Sequence, residues 1–145
     1  MPFTILLFVT RKPSLSPSEF KDYWETKHIP LLKSLTGSLF PQNHTRRYLA
    51  RINREGFGGP ANRDHPLLTL RGIQQERDYD GVAEMTFETK QAFQDFYGAI
   101  YEKGTAAKLA EDESHFLDAG KFEAVVVGET TTTYKDQVDG VIDEK

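Results

Sequence analysis

Apolar and polar positions change their spacing several times along this chain, and each change predicts an element. Phe3 to Thr10 is a nearly unbroken apolar and β-branched run, closed by Arg11-Lys12-Pro13. Both of its alternating faces are apolar, Phe3, Ile5, Leu7 and Val9 against Leu6 and Phe8, which is the pattern of a central strand covered on both sides. A four-residue rhythm follows. Phe20, Trp24 and His28 recur at steps of four, and Leu31, Leu32 and Leu35 extend the stripe, so one helical face carries two rings and an imidazole. Ser16-Pro17-Ser18-Glu19 is a capping box with proline at the first helical position. Pro30 predicts that Ile29 leaves helical geometry, so that the helix ends or kinks just past His28. Gly37 is the natural terminator of the last turn.

Alternation returns at His44 to Arg54, an unusually polar second strand that puts His44, Arg46, Tyr48, Ala50 and Ile52 on one face. Glu55 to Arg77 has no clear period and holds Gly56, Gly58, Gly59, Pro60 and Pro66. A loop of this length in a compact domain is expected to be a lid or binding loop, or to be disordered. Tyr79 to Phe87 reads as a third strand, with Asp80, Val82 and Glu84 on one face. Thr89 caps a helix to about Lys103 whose stripe is Phe93, Phe96, Tyr97 and Ile100. Gly104 interrupts it, and Thr105 to Phe116 adds a further turn or two. Phe122 to Val127 is a fourth strand ended by Gly128. The resulting order, β-α-β-β-α-β, is the α+β ferredoxin-like arrangement. Two helices on one sheet face leave the other bare, so a homodimer with facing sheets, a dimeric α+β barrel, is expected.

Length and composition narrow this further. A chain of 145 residues is one domain with a real core, read here as residues 1–128 followed by a polar, acidic tail at 129–145. With no cysteine, thiol nucleophiles, iron–sulfur clusters and Cys-ligated zinc are excluded. A formal charge of -4 argues against a nucleic-acid partner. Phe3 to Val9 is too short to span a bilayer and has no basic residue before it, so no membrane association and a cytoplasmic location are the expectation.

Two clusters carry candidate chemistry. His28 sits beside Trp24 on the buried helix face; it is either a histidine satisfied by one carbonyl or a proton-transfer group. The second strand gathers His44, Arg46, Tyr48 and Arg51. His44 and Tyr48 lie about 13 Å apart at about 3.3 Å per residue, a span that brackets a polycyclic aromatic. The alternative is a charged edge strand that discourages aggregation. Asp80 and Glu84 either orient a histidine or pair with neighbouring arginines. Phe8, Trp24 and Tyr97 supply flat apolar wall. His65 precedes a proline in the long loop and is expected to be exposed, while Glu113 and Asp118, flanking His115, read as a helix boundary. No metal spacing, phosphate cradle or dinucleotide fingerprint is present, so no cofactor is expected.

Leu6-Leu-Phe-Val-Thr-Arg-Lys-Pro13, Leu15-Ser-Pro-Ser-Glu-Phe20 and Trp24 through His28-Ile-Pro30 resemble the opening of the EthD-domain family. Asp78-Tyr-Asp80, Ala83-Glu84, Asp112-Glu113 and Phe116-Leu117-Asp118 resemble its closing half. Pro41-Gln-Asn-His44-Thr-Arg-Arg-Tyr48 and Ala124-Val-Val-Val-Gly-Glu129 are similar to a fungal branch of aromatic-polyketide decarboxylases that act on anthrone or anthraquinone carboxylic acids. The resemblance implies a dimeric α+β barrel without organic cofactor. It lands on His28, the family's helix-end histidine, and on His44, Arg46 and Tyr48 of the polar strand. The mechanism expected on this basis has His28 as general acid/base, His44 and Tyr48 hydrogen-bonding a ring oxygen, Arg46 or Arg51 orienting the substrate and Asp80 orienting one histidine. A cofactor-free anthrone oxygenase and a non-catalytic carrier of aromatic intermediates are the other readings.

Overall fold

The computed structural model describes residues 2–51, 67–72 and 78–136. Four strands, β1 (Phe3–Val9), β2 (Asn43–Tyr48), β3 (Gly81–Phe87) and β4 (Glu123–Val126), form one sheet in the order β2-β3-β1-β4. Every neighbouring pair is antiparallel. The doubly apolar β1 is internal, as its pattern requires, while polar β2 and the four-residue β4 are the edges. The registers Ile5↔Met85, Leu7↔Ala83 and Val9↔Gly81 put these residues on the face that meets the helices. Leu6, Phe8, Val82 and Glu84 take the opposite face. The long loop expected as a lid, and His65 within it, lie outside the described residues except for 67–72.

The first helical region begins at the anticipated capping box. The Ser16 side chain accepts from Glu19 N–H, and the Glu19 carboxylate accepts from Ser16 N–H. It does not end at Pro30. An α-helix, α1 (Pro17–Tyr23), passes through a π-helical segment, Trp24–His28, into α2 (Ile29–Thr36), and Ile29 keeps helical angles. The wider turn has already broken the ordinary i→i−4 ladder, so the missing N–H of Pro30 costs little there. It also explains the four-residue stripe. In a regular helix of 3.6 residues per turn, each four-residue step drifts by about 40°. Widening the turn cancels part of that drift, and Phe20, Trp24, His28 and Leu32 are all buried. Gly37 ends α2 with φ of +55°, a conformation that favours glycine.

The second helical region is α3 (Lys90–Ile100), capped by Thr89, and α4 (Lys103–Glu113), capped by the Glu102 carboxylate. Gly104 does not break a helix; it lies in the first turn of α4, where backbone N–H groups lack intrahelical partners in any case. After α4, Phe116 O accepts from Lys12 N–H and Asp118 N–H donates to Thr10 O, which pins Phe116 and Leu117 beside the end of β1. The core falls into two clusters. One contains Ile5, Leu32, Met85, Phe87, Phe96 and Leu109; the other contains Val9, Phe20, Trp24, Ala83, Phe116 and Leu117.

Among the described glycines, Gly81 is the one that brings sheet and helix too close for a side chain. A Cβ there would lie 2.8 Å from Trp24 Cζ3 and 3.3 Å from Val9 Cγ2. Trp24 is 2% exposed and packed against Phe20, Tyr48 and Phe116, so the ring moves only by disturbing these contacts. Gly81→Ala is expected to destabilise the fold by about 1–3 kcal/mol through overpacking, measured as a lowered urea midpoint with unchanged m-value. A midpoint equal to that of the parent would show that the ring is not held against β3.

Candidate active site

The π segment, β2 and α4 bring two histidines to one cavity. His28 Nδ1 lies 2.6 Å from Asp112 Oδ2. A carboxylate accepts, so Nδ1 carries the hydrogen and Nε2 holds the lone pair. The hydroxyl of Tyr23 donates to the other oxygen, Asp112 Oδ1, at 2.8 Å. Burial, then the hydrogen bond to Asp112, pushes the Tyr23 hydroxyl up to about 12. Both His28 and Asp112 are buried. Burial lowers the His28 pKa below its usual value and outweighs the opposing pull of Asp112. His28 is therefore a neutral imidazole backed by a carboxylate, with Nε2 unpaired among the described residues, the arrangement of an oriented general base.

His44 is built the opposite way. Arg46 Nη1 lies 2.9 Å from His44 Nδ1 and also donates to the His44 carbonyl oxygen. A guanidinium only donates, so His44 Nδ1 accepts and Nε2 carries the hydrogen. Arg46 is held in turn by Glu25 of the π segment through Nε at 2.7 Å and Nη2 at 3.1 Å. The Tyr48 hydroxyl donates to the same carboxylate at 2.5 Å. Burial, and then the Arg46 charge, lowers the His44 pKa to about 4. The cavity thus meets one imidazole as an acceptor and one as a donor.

The cavity has a volume of about 710 Å³ and lies between the helix-facing side of the sheet and the helices, a size typical of small-molecule sites. Both core clusters line it. Trp24, Phe93, Phe96 and Phe116 form much of the apolar wall, and His28, His44, Tyr97, Tyr101 and Glu113 supply polar groups. Among the described residues no lysine or arginine lines it. No group of three or more His, Asp or Glu side chains among the described residues is arranged to hold a metal ion. No described helix is long and apolar enough to cross a membrane.

Of the residues singled out from sequence, His28, His44, Trp24 and Tyr97 line this cavity. The others do not. Arg46 and Tyr48 are committed to Glu25 behind His44. Asp80 does not orient a histidine. It accepts from Arg11 N–H and Nε and from Arg51 Nη2, a buried ionic cluster just ahead of β3. Burial raises its pKa, against the pull of these donors. Arg51 also donates to Asp78 and to the Tyr79 carbonyl, so it faces away from the cavity. β2 stops at Tyr48 and β3 begins at Gly81, both shorter than the periodicity implies, because the flanking residues enter this cluster. Phe8 and Glu84 are on the opposite sheet face, where Phe8 packs at a tilt on Tyr79 and Glu84 pairs with Arg47. The residues missed are Asp112 and Glu113. The first orients His28, and the second, read as helix boundary, enters the cavity wall. The signal available was their adjacency, which puts two carboxylates on different sides of one helix end.

Comparison with known proteins adds the following. The EthD domain matches residues 12–120. No curated protein matches the chain. A protein from Arabidopsis thaliana is 14% identical, with a TM-score of 0.54 over 91% of this chain and 99% of that one. An EthD-like protein from Ralstonia eutropha is 14% identical, with a TM-score of 0.50 over 94% and 97%. SnoaB, a cofactor-independent oxygenase from Streptomyces nogalater, is 15% identical, with a TM-score of 0.47 over 90% and 95%. At these identities the first two likenesses describe the fold alone.

The buried neutral state of His44 has a consequence for stability. Its pKa is about 4 folded and about 6.5 unfolded. Between those values the unfolded chain binds more protons, so stability rises with pH. The contribution is complete above about 6.5 and is lost as pH falls toward 4, by up to about 3 kcal/mol. In urea unfolding from pH 4.5 to 7, His44→Gln is expected to flatten that slope. Parallel profiles for parent and variant would show that His44 titrates normally in the fold.

Proposed function

We propose, on the premise that this chain belongs to the EthD domain family, that it is a cofactor-independent lyase that removes CO2 from a hydroxylated aromatic polyketide acid such as an anthrone or anthraquinone carboxylate. The observation that carries this reading is the His28–Asp112 pair: a neutral imidazole, oriented by a buried carboxylate, with its free Nε2 at an apolar cavity lined by flat rings. Such a site moves protons on a hydrophobic ligand.

His28 Nε2 removes the proton of a ring hydroxyl adjacent to the carboxyl group. The resulting oxyanion takes a hydrogen bond from His44 Nε2–H, an electrostatic contribution made where charge develops. The imidazolium then gives its proton to the ring carbon that bears the carboxyl group, which produces a β-keto acid. His28 accepts the acid proton as the carbon–carbon bond breaks. The bond's electron pair passes to the ketone oxygen, again held by His44, and CO2 leaves. Returning the proton to that oxygen completes the balance, with hydrogen on carbon where the carboxyl group stood. The lack of a lysine or arginine among the described lining residues fits this step. A carboxylate clamped by a cation would be stabilised in the ground state and gain no rate.

That same lack favours a second reading, in which the ligand is neutral. The base would take a proton from an anthrone carbon, the anion would add dioxygen to form a hydroperoxide, and loss of water, with the second hydrogen of that carbon, would give the quinone. One incubation of an anthrone carboxylate separates the two: CO2 release without oxygen uptake is expected, and oxygen uptake with the carboxyl group retained would overturn the lyase. His28→Ala is expected to lower turnover by about 10²–10⁴-fold while the variant stays folded, at a stability cost of about 1–3 kcal/mol for the unpaired Asp112. Near-normal turnover would return His28 to a structural role.

The functional unit in this reading is a homodimer. Leu6, Phe8, Val82 and Val125 lie on the sheet face away from the helices, and a second copy is the cover expected for it. Light scattering at micromolar concentration should give twice the chain mass, and Phe8→Glu should give the monomer. A monomeric parent protein would leave that face to another partner.

A further inference from the structure

Glu113 is the carboxylate of the described cavity wall, and the reaction above leaves it unused. It ends α4, directly after Asp112, whose two carboxylate oxygens are occupied by His28 and Tyr23. The Glu113 carboxyl is half-buried, lines the cavity, and has no hydrogen bond or ion pair among the described residues. No lysine or arginine of the described lining can supply a counter-charge. The charge that acts on it is that of Asp112, and its own charge raises the Tyr101 hydroxyl, whose ring packs against that of Tyr97 at 4.7 Å. A carboxylate withdrawn from water without donors is costly, and the cost is relieved when something in the cavity donates to it.

We propose that Glu113 is a specificity determinant: its carboxylate accepts a hydrogen bond from a free hydroxyl on the ring system that fills the cavity, and so selects hydroxylated ligands over their ethers and unsubstituted analogues. This rests on the reading that the cavity takes a flat aromatic molecule, but not on the reaction performed there. Burial and Asp112 both push the Glu113 carboxyl above its usual value, as expected of a charge lacking a partner. Sites built to pair with a substrate hydroxyl reject the analogue without it, because the protein group is then left unsatisfied. A purely apolar wall would prefer the ether or the unsubstituted ring.

Trp24 is the single tryptophan and lines the cavity, so its fluorescence reports occupancy without turnover. Three flat ketones of near-equal shape serve as probes: 2-hydroxyfluorenone, 2-methoxyfluorenone and fluorenone, titrated at pH 7.5. The parent protein is expected to bind the hydroxylated probe at least about tenfold more tightly than the other two, as for a hydrogen bond to a charged group. Glu113→Leu should reduce the preference to under about twofold, and Glu113→Gln should narrow it. Equal binding of all three by the parent, or an unchanged preference in the variants, overturns the proposal. Should Glu113→Leu fail to fold, Glu113→Gln decides: an unchanged preference there would assign the hydroxyl to another acceptor such as His28, which lines the same cavity, and overturn the proposal. Failure to bind any of the three would overturn the aromatic-cavity reading as well. Retained preference among these probes, with no CO2 release from an anthrone carboxylate in the separate incubation, would overturn the lyase reading alone.

Discussion

The buried carboxylate of Asp112 holds the site together. It accepts from Tyr23 on α1 and His28 on the π segment, so one side chain on α4 ties both to the end of the second helical region. Two charge-assisted hydrogen bonds satisfy it, which is what makes burial of the carboxylate tolerable. The tie is polar and directional. Apolar packing alone would draw the helices and sheet together until no space remained. Here the two core clusters stay apart around a cavity of about 710 Å³.

Local backbone geometry serves the same end. The π turn keeps Trp24 and His28 inward and aims Glu25 at β2, where it fixes Arg46 and Tyr48. Arg46 then sets the tautomer of His44, as Asp112 sets that of His28. Two neutral imidazoles face one apolar space with opposite hydrogen-bonding character, and each owes it to a partner outside the cavity. The charges of β2 that look like ligand-binding groups in sequence therefore act one layer back.

Much of the fold was legible because its signals are local. The capping box, the doubly apolar β1, the Thr89 cap and the Gly37 terminator each act within a few residues, and the β-α-β-β-α-β order follows from them. Pro30 misled because its effect depends on the turn before it; an ordinary helix would have broken where a π segment carries on. The role of Asp80 was equally undecidable. Its neighbours Arg11 and Arg51 lie 69 and 29 residues away, and only the pairing of β1 with β3 brings the first of them close.

By itself the sequence determined the type and order of the elements and that the imidazole of His28 lies on the buried helix face beside Trp24; that β2 is an edge was one of two readings it left open. What it determined follows from periodicity and capping, which are properties of neighbouring residues. Only the tertiary structure decided which carboxylate meets which histidine, since Asp112 lies 84 residues from His28. It also decided that Arg46, Tyr48 and Arg51 turn away from the cavity while Glu113 enters it. Such choices depend on helix rotation and strand register, where a shift of one position exchanges one face for the other.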